Sequence, residues 1–297
     1  MNYRHIYHAG NFADVFKHVV LLALIDALSK KEKPWCYLDT HAGTGRYDLF
    51  SMEAQKTKEF QNGVQEIVTR KIVAGTTTHA IIQQYLSILK SEDYPHFYPG
   101  SPSFVYHCLR PQDRMVLIEK HPEEAMALKM LFKERGGSSH QTISIHQQDG
   151  YQSIKAFLPP KERRGLILID PPFEQLDEWE QIVQSLKLGM QRFASGIFAI
   201  WYPIKDTISV QRFHQALQAL NQEPSAQSTE SSGTRKEILI AEFHLYPETM
   251  AQGLRGAGMV IVNPPWKMMD TLNPLLKELY DNMSMNDLGR FVLKWIE

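Results

Sequence analysis

Apolar runs that end abruptly at an acid recur along the chain. Trp35-Cys36-Tyr37-Leu38 ends in Asp39, Met115-Val116-Leu117-Ile118 in Glu119, and Leu166-Ile167-Leu168-Ile169 in Asp170, while Thr142 to His146 exits through two glutamines to Asp149. Runs of aliphatic residues without polar alternation suit parallel strands covered on both faces. Between them lie helical patterns: Asn11 can cap a helix reaching Ser29, and others cover Pro122 to Arg135, Trp179 to Leu188 and Val210 to Leu220. Gly196 to Pro203 reads as a fifth strand, and Lys236 to Tyr246 with Gly258 to Val262 as a closing antiparallel pair. The pattern predicts an open α/β fold built on a seven-stranded mixed sheet. Asn221 to Thr234 reads as a loop, and Leu272 to Asn282 and Leu288 to Trp295 as terminal helices.

From about Phe50 to Arg110 the strand pattern lapses. Phe60, Val64, Ile67 and Val68, then Ile81, Ile82, Tyr85, Leu86, Ile88 and Leu89, recur at helical spacing. Residues 50–110 are therefore expected to form a small inserted helical subdomain, with 1–49 and 111–297 as the main domain. Tyr98 to Pro102, dense in turn formers, returns the chain to the sheet.

Length and composition narrow the class. With 43% hydrophobic residues in 297, the chain can bury a sizeable core. Lys plus Arg number 32 against 33 Asp plus Glu, so a nucleic-acid partner would have to be met by a local basic patch. Arg4, His5, His8, Lys161, Arg163 and Arg164 are candidates, against the plainer reading of Lys161 to Arg164 as a solvated loop. Cys36 and Cys108 form neither a disulfide framework nor a zinc motif. No secretory leader or membrane-length apolar run is seen, so a reduced, cytoplasmic protein is the expectation.

The chemistry gathers at strand ends. In open α/β sheets ligands bind beyond the carboxyl ends of the strands, and Pro171 forces the strand to stop at Asp170. Asp170-Pro171-Pro172-Phe173 then offers a carboxylate, restrained carbonyls and a ring. That set suits a planar base carrying an exocyclic amine: Asp170 and the Pro171 carbonyl accept the amine hydrogens, and Phe173 stacks. It is the Asp-Pro-Pro-aromatic signature of adenine amino-methyltransferases, although a strand ending in a proline turn would look alike. Asn263-Pro264-Pro265-Trp266 fits the same pattern, with a protein or small-molecule amide as its substrate, but lies after the last strand of the antiparallel pair.

After Asp39, His41-Ala42-Gly43-Thr44-Gly45 permits a tight turn and close approach to a ligand without a diphosphate-binding fingerprint. It resembles the first motif of S-adenosylmethionine-dependent methyltransferases. Glu119 stands where such sheets present a carboxylate to a ribose diol, eighty residues beyond Asp39 because of the insertion. Asp149 could accept from a cofactor adenine amine. Each of these acids also reads locally as a turn or cap carboxylate, and Ser101 as a turn hydroxyl or helix cap. Asn11, Asp14, Lys17 and His18 form one polar stripe on the otherwise apolar first helix, which either faces water or lines a site.

Taken together, His8-Ala-Gly-Asn-x-Ala-Asp-x-x-Lys17-His18, the glycine turn, Tyr98 to Pro102 and Asp170 to Phe173 closely resemble the bacterial 23S ribosomal RNA adenine-N6 methyltransferases. The resemblance implies a Rossmann-like methyltransferase fold and S-adenosyl-L-methionine as cofactor, with no metal. It implies cofactor contacts at Lys17, His18, His41, Gly43, Ser101, Glu119, Asp149, Gly150 and Asp170, with Asp170 catalytic, aided by Pro171 and Phe173. Tyr3, Arg4, His5 and Phe173 would meet the RNA. Phe173 departs from the tyrosine many relatives carry: stacking survives and a hydroxyl contact is lost. The substrate implied is an unpaired or flipped adenine of 23S RNA, protein-free or in an early assembly precursor, acted on by a monomer; DNA adenine-N6 methylation is the nearer alternative.

Overall fold

The computed structural model describes residues 4–74, 79–136, 142–222, 236–247, 249, 253–283 and 289–296. Tyr3, Leu288 and most of the loop expected at 221–234 lie outside these residues. Helix α1 (Phe12–Ser29) opens the fold, capped by Asn11, whose side chain accepts the Asp14 N–H. Strands β1 (Cys36–Asp39), β4 (Arg114–Glu119), β5 (Thr142–Gln147), β6 (Gly165–Ile169) and β7 (Ile197–Ile204) are joined by parallel pairing, and β8 (Ile238–His244), β9 (Gly256–Val262) and β10 (Arg290–Trp295) complete the sheet antiparallel. The spatial order is β10-β8-β9-β7-β6-β1-β4-β5. The chain leaves β1 toward β4 and β5, then returns to its other side as β6, which places the switch point at the tips of β1 and β6.

Both faces of the sheet are covered, and side-chain alternation sorts the strands between two cores. Tyr37, Leu166, Leu168 and Met259 pack on one face beneath α1, α4 (Ala80–Ser91), α5 (Ser101–Tyr106), α6 (Pro122–Glu134) and α10 (Met268–Met283). Leu38, Ile167, Ile169 and Val260 face the other, under α7 (Gly150–Phe157), α8 (Glu178–Arg192) and α9 (Thr207–Gln222). Burial on both sides explains why the central strands read as unbroken apolar runs. Among the described residues no helix is long and apolar enough to cross a membrane.

Two expectations are corrected. The sheet has eight strands, because Arg290–Trp295 pairs with β8 (Arg290 beside His244) where a helix was expected. Phe291 and Leu293 pack on the core while Arg290 and Lys294 stay exposed, a period of two, and the free edge of β8 supplies the partner. Arg46–Asp48 and Phe97–Pro99 form a separate two-stranded ribbon, β2 and β3, which brings the two ends of the segment between β1 and β4 together. Between them run α2 (Met52–Thr57), α3 (Val64–Ala74) and α4, and Ile81, Ile82, Tyr85 and Leu89 join the core shared with α1.

Far from the switch point, Asp113 clamps the opposite edge. Its buried carboxylate accepts from the Trp35 N–H at 3.0 Å and from the Arg110 guanidinium, which also binds the carbonyls of Ser29, Lys31 and Lys33. Arg164 does similar work, donating to the carbonyls of Leu28 and Lys33, so this basic residue knits loops together on the side away from the strand tips. Close packing within the sheet is tightest at Gly258, where a Cβ would lie 2.1 Å from the Tyr202 ring. Gly258→Ala is expected to cost about 1–3 kcal/mol, read as a lowered urea midpoint with an unchanged slope.

Candidate active site

A cleft of about 430 Å³ opens over the carboxyl ends of β1, β4 and β6. It is large enough for a ligand of nucleoside size or more. The α1 stripe lines it: Asn11, Asp14, Lys17 and His18 face the cleft although all four are buried. Opposite stand His41, Gly43, Ser101, Glu119, Asp149, Gly150, Asp170, Pro171 and Phe173. Asp39 is sealed behind them, fully buried.

Lys17 joins the two halves. Its ammonium lies 2.8 Å from Asp14 Oδ1 and 2.6 Å from Asp170 Oδ2, tying α1 to the tip of β6. Burial by itself would depress the Lys17 ammonium, but Asp14 and Asp170 hold it above the ordinary lysine value. Asp14 is likewise held well below the ordinary carboxylate range: burial opposes ionisation, and His5 and Lys17 overcome it. Its other oxygen accepts the Gly10 N–H and lies 2.9 Å from His5 Nε2, so His5 reaches the cleft as part of this cluster. His18 lies 2.8 Å through Nδ1 from the Tyr98 hydroxyl and packs on Phe104, while its buried Nε2 has no partner among the described residues. Burial first, then the Lys17 charge, keeps His18 well below its usual pKa and therefore neutral.

The glycine turn is locked from below. The Gly43 N–H donates to Glu119 Oε2 at 2.8 Å, and Gly43 adopts φ +60° with the Tyr47 hydroxyl where a Cβ would go. Glu119 Oε1 accepts the His121 N–H at 2.7 Å, so this carboxylate spans the turns after β1 and β4. Asp39 accepts from the Ser101 hydroxyl (2.7 Å), the Tyr37 hydroxyl (2.8 Å) and the His41 N–H (3.2 Å). Burial nevertheless raises it to about 6, and burial lowers His41 to about 4. Asp149 caps α7 by accepting from Tyr151 and Gln152 N–H, and pairs with Lys120 at 3.0 Å. The local cap reading of this acid is thus correct as well as its place in the cleft. Phe173, at φ +53°, meets Trp179 and Trp201 edge-on at 4.7 and 5.9 Å.

Several lining residues escaped sequence reasoning. Tyr47, Glu59, Trp201 and Glu178 come from four separate segments and carry no local signature. Arg4, outside the cleft lining, is exposed and 3.5 Å from Glu53. The second proline motif is structural: β9 runs antiparallel to β7, so Asn263 emerges beside Gly196, at the start of β7 rather than its tip. Its amide donates to the Ala194 and Gly196 carbonyls at 3.0 and 2.7 Å, which leaves the amide-substrate alternative without a site there.

A glycine turn after the first strand, acids after the next two and an Asp-Pro-Pro-aromatic tip after the fourth define the Rossmann-like methyltransferase class of α/β sheets. Residues 32–297 match the family model described as "Ribosomal RNA large subunit methyltransferase D, RlmJ". The chain is 36% identical to ribosomal RNA large subunit methyltransferase J of Haemophilus influenzae over 300 aligned residues, covering 100% of this chain and 99% of that protein. It is equally 36% identical to the Escherichia coli protein of the same name, with the same coverage. A crystal structure of a Legionella pneumophila protein superposes with a TM-score of 0.83 at 30% identity, covering 97% of this chain and 98% of that one. The chain belongs to the RlmJ family of ribosomal RNA large subunit methyltransferases.

Two predictions follow the buried charges. Lys17→Met leaves Asp14 and Asp170 facing each other without their shared cation and is expected to cost about 3–5 kcal/mol, measured by urea unfolding at neutral pH. The second concerns acid. His41, depressed to about 4 from 6.5, contributes stability that is present above pH 6.5 and lost as pH falls toward 4. Asp39, raised to about 6 from 3.8, contributes stability that is full below 3.8 and lost as pH rises through 6. The two oppose each other between about pH 4 and 6. Asp39→Asn removes the compensation, so its urea midpoint should fall more steeply than the parent's over that window, by at most about 1.4 kcal/mol per pH unit.

Proposed function

We propose that the chain methylates the exocyclic N6 amine of an unpaired or flipped adenine in 23S ribosomal RNA, with S-adenosyl-L-methionine as the methyl donor. The observation that carries this reading is Asp170: it lines the cleft at the tip of β6, with Oδ2 held by Lys17 at 2.6 Å and no hydrogen bond to Oδ1 among the described residues. Membership of a family named for large-subunit ribosomal RNA methylation supports the substrate class. The residues present fit the cofactor. The buried Nε2 of neutral His18, without a partner among the described residues, offers a polar contact, and the Gly43 turn allows close approach.

When bound, the cofactor supplies an electrophilic sulfonium methyl. Lys17, His18, His41, Gly43, Ser101, Glu119, Asp149 and Gly150 would hold it, some directly and Ser101 by fixing Asp39 behind the turn. Asp170 Oδ1 accepts one hydrogen of the target amine and the Pro171 carbonyl the other, which draws the amine lone pair toward the methyl. No strong base is required, because the amine proton becomes acidic only as the N–C bond forms. Lys17 suits that division: it fixes the Asp170 carboxylate in one rotamer, so positioning carries the rate. Phe173, braced by Trp179 and Trp201, stacks on the base, and Arg4 and His5, with Tyr3 before them in the sequence, are assigned to RNA contact. The edge of a paired adenine is out of reach, which favours single-stranded or loop RNA.

We further assign 1–49 and 111–297 to the catalytic unit and 50–110 to the insertion, and take the enzyme to be a cytoplasmic monomer acting on naked RNA or an early precursor. The test is transfer of labelled methyl from S-adenosylmethionine to protein-free 23S RNA, assembled large subunits and duplex DNA. Label is expected in adenine of the protein-free RNA and reduced by about 10²–10³-fold in Asp170→Ala. Label only in DNA, or undiminished transfer by Asp170→Ala, would sink this reading.

A further inference from the structure

Among the described residues, one buried carboxylate at the cleft keeps an oxygen without a donor. Asp14 serves Lys17, the Gly10 N–H and His5; Glu59 serves His8 and Asn11; Glu119 serves two backbone N–H groups; Asp149 serves two more and Lys120. Glu178 differs. It lines the cleft at the first turn of α8, is 3% exposed, and accepts only from the Tyr151 hydroxyl through Oε1. Oε2 is buried with no partner among the described residues. A buried carboxylate oxygen without a donor is costly, and such atoms in native proteins normally await a water, ion or ligand.

Position decides the donor. Glu178 opens the helix that follows the Asp170 turn, but Tyr151, which holds its carboxylate, follows Gly150 directly and packs edge-on against His41 at 5.2 Å, which ties the group to the wall beyond β5. That is the wall to which the cofactor nucleoside is assigned, on the reading given above. The acid expected to meet the nucleobase amine there, Asp149, already receives two backbone N–H groups and a lysine, whereas Glu178 receives one hydroxyl. A carboxylate with an unpaired oxygen selects an N–H donor and repels a carbonyl. The terminal carboxyl torsion is soft, so a modest turn of the whole group, which the Tyr151 hydroxyl can follow, brings Oε2 to a ligand.

We propose that Glu178, positioned by Tyr151, accepts the hydrogen bond of the cofactor's adenine amine and so sets the preference for an adenosyl over a 6-oxopurine cofactor. Glu178 is then a binding determinant distinct from the acid that orients the target base.

The experiment is calorimetric binding of S-adenosylhomocysteine and S-inosylhomocysteine to the full chain and to Glu178→Gln and Tyr151→Phe. The inosyl compound replaces the amine with an oxo group. The parent is expected to prefer the adenosyl ligand by tenfold or more. Glu178→Gln should lose that preference to within about twofold or invert it, since its amide can donate to the oxo oxygen. Tyr151→Phe, which keeps the carboxylate and loses only its anchor, should fall between. An unchanged ratio in Glu178→Gln, or equal weakening of both ligands including loss of both, would overturn the proposal, as would a parent chain that binds the two alike. A parent chain that binds neither would instead overturn the cofactor reading on which the proposal rests, and the two failures are distinguishable.

Discussion

The site depends on one buried cation. Lys17 reaches from the first helix across the cleft to the tip of β6 and shares its charge between Asp14 and Asp170 at 2.8 and 2.6 Å. Each carboxylate would be expensive to bury alone, and the ammonium would be expensive without both. Their mutual neutralisation lets a polar stripe sit on a helix that is otherwise buried nearly all round. It also ties the first helix to a strand tip 153 residues later.

From that anchor the rest of the cleft follows by backbone satisfaction. Glu119 ties the glycine turn to the turn after β4, Asp39 collects Ser101, Tyr37 and a backbone N–H beneath it, and Asp149 starts α7. Each of these three acids therefore has a structural duty as well as a place in or behind the cleft wall. That double use makes the cleft preorganised, and on the proposed reading it leaves Asp170 and Glu178 as the acids that meet the two bases. Preorganisation matters here because the chemistry assigned to the site needs alignment more than a strong acid or base.

The second proline motif shows how topology sorts equivalent peptides. Asn263 to Trp266 is locally close to Asp170 to Phe173, and both Asn263 and Phe173 adopt positive φ. Yet β9 runs opposite to β6 and β7, so its carboxyl end lies where the parallel strands begin. There the Asn263 amide is consumed by two backbone carbonyls. A motif at the wrong end of a strand becomes a brace.

By itself the sequence determined what is local or period-dependent. Unbroken apolar runs ending in acids specified the parallel strands and their functional ends, Asn11 marked the start of the first helix, and Asp170 to Phe173 declared a strand stop with a ring and a carboxylate. What only tertiary structure decided was pairing. The C-terminal segment became a strand because β8 had an edge to fill, a condition 46 residues away between His244 and Arg290 that its own ambiguous period could not express. The polar stripe on α1 became a site wall because Asp170 arrived to meet Lys17. Glu178, Tyr47 and Trp201 joined the cleft through contacts between elements distant in sequence, and no local spacing encodes such a meeting.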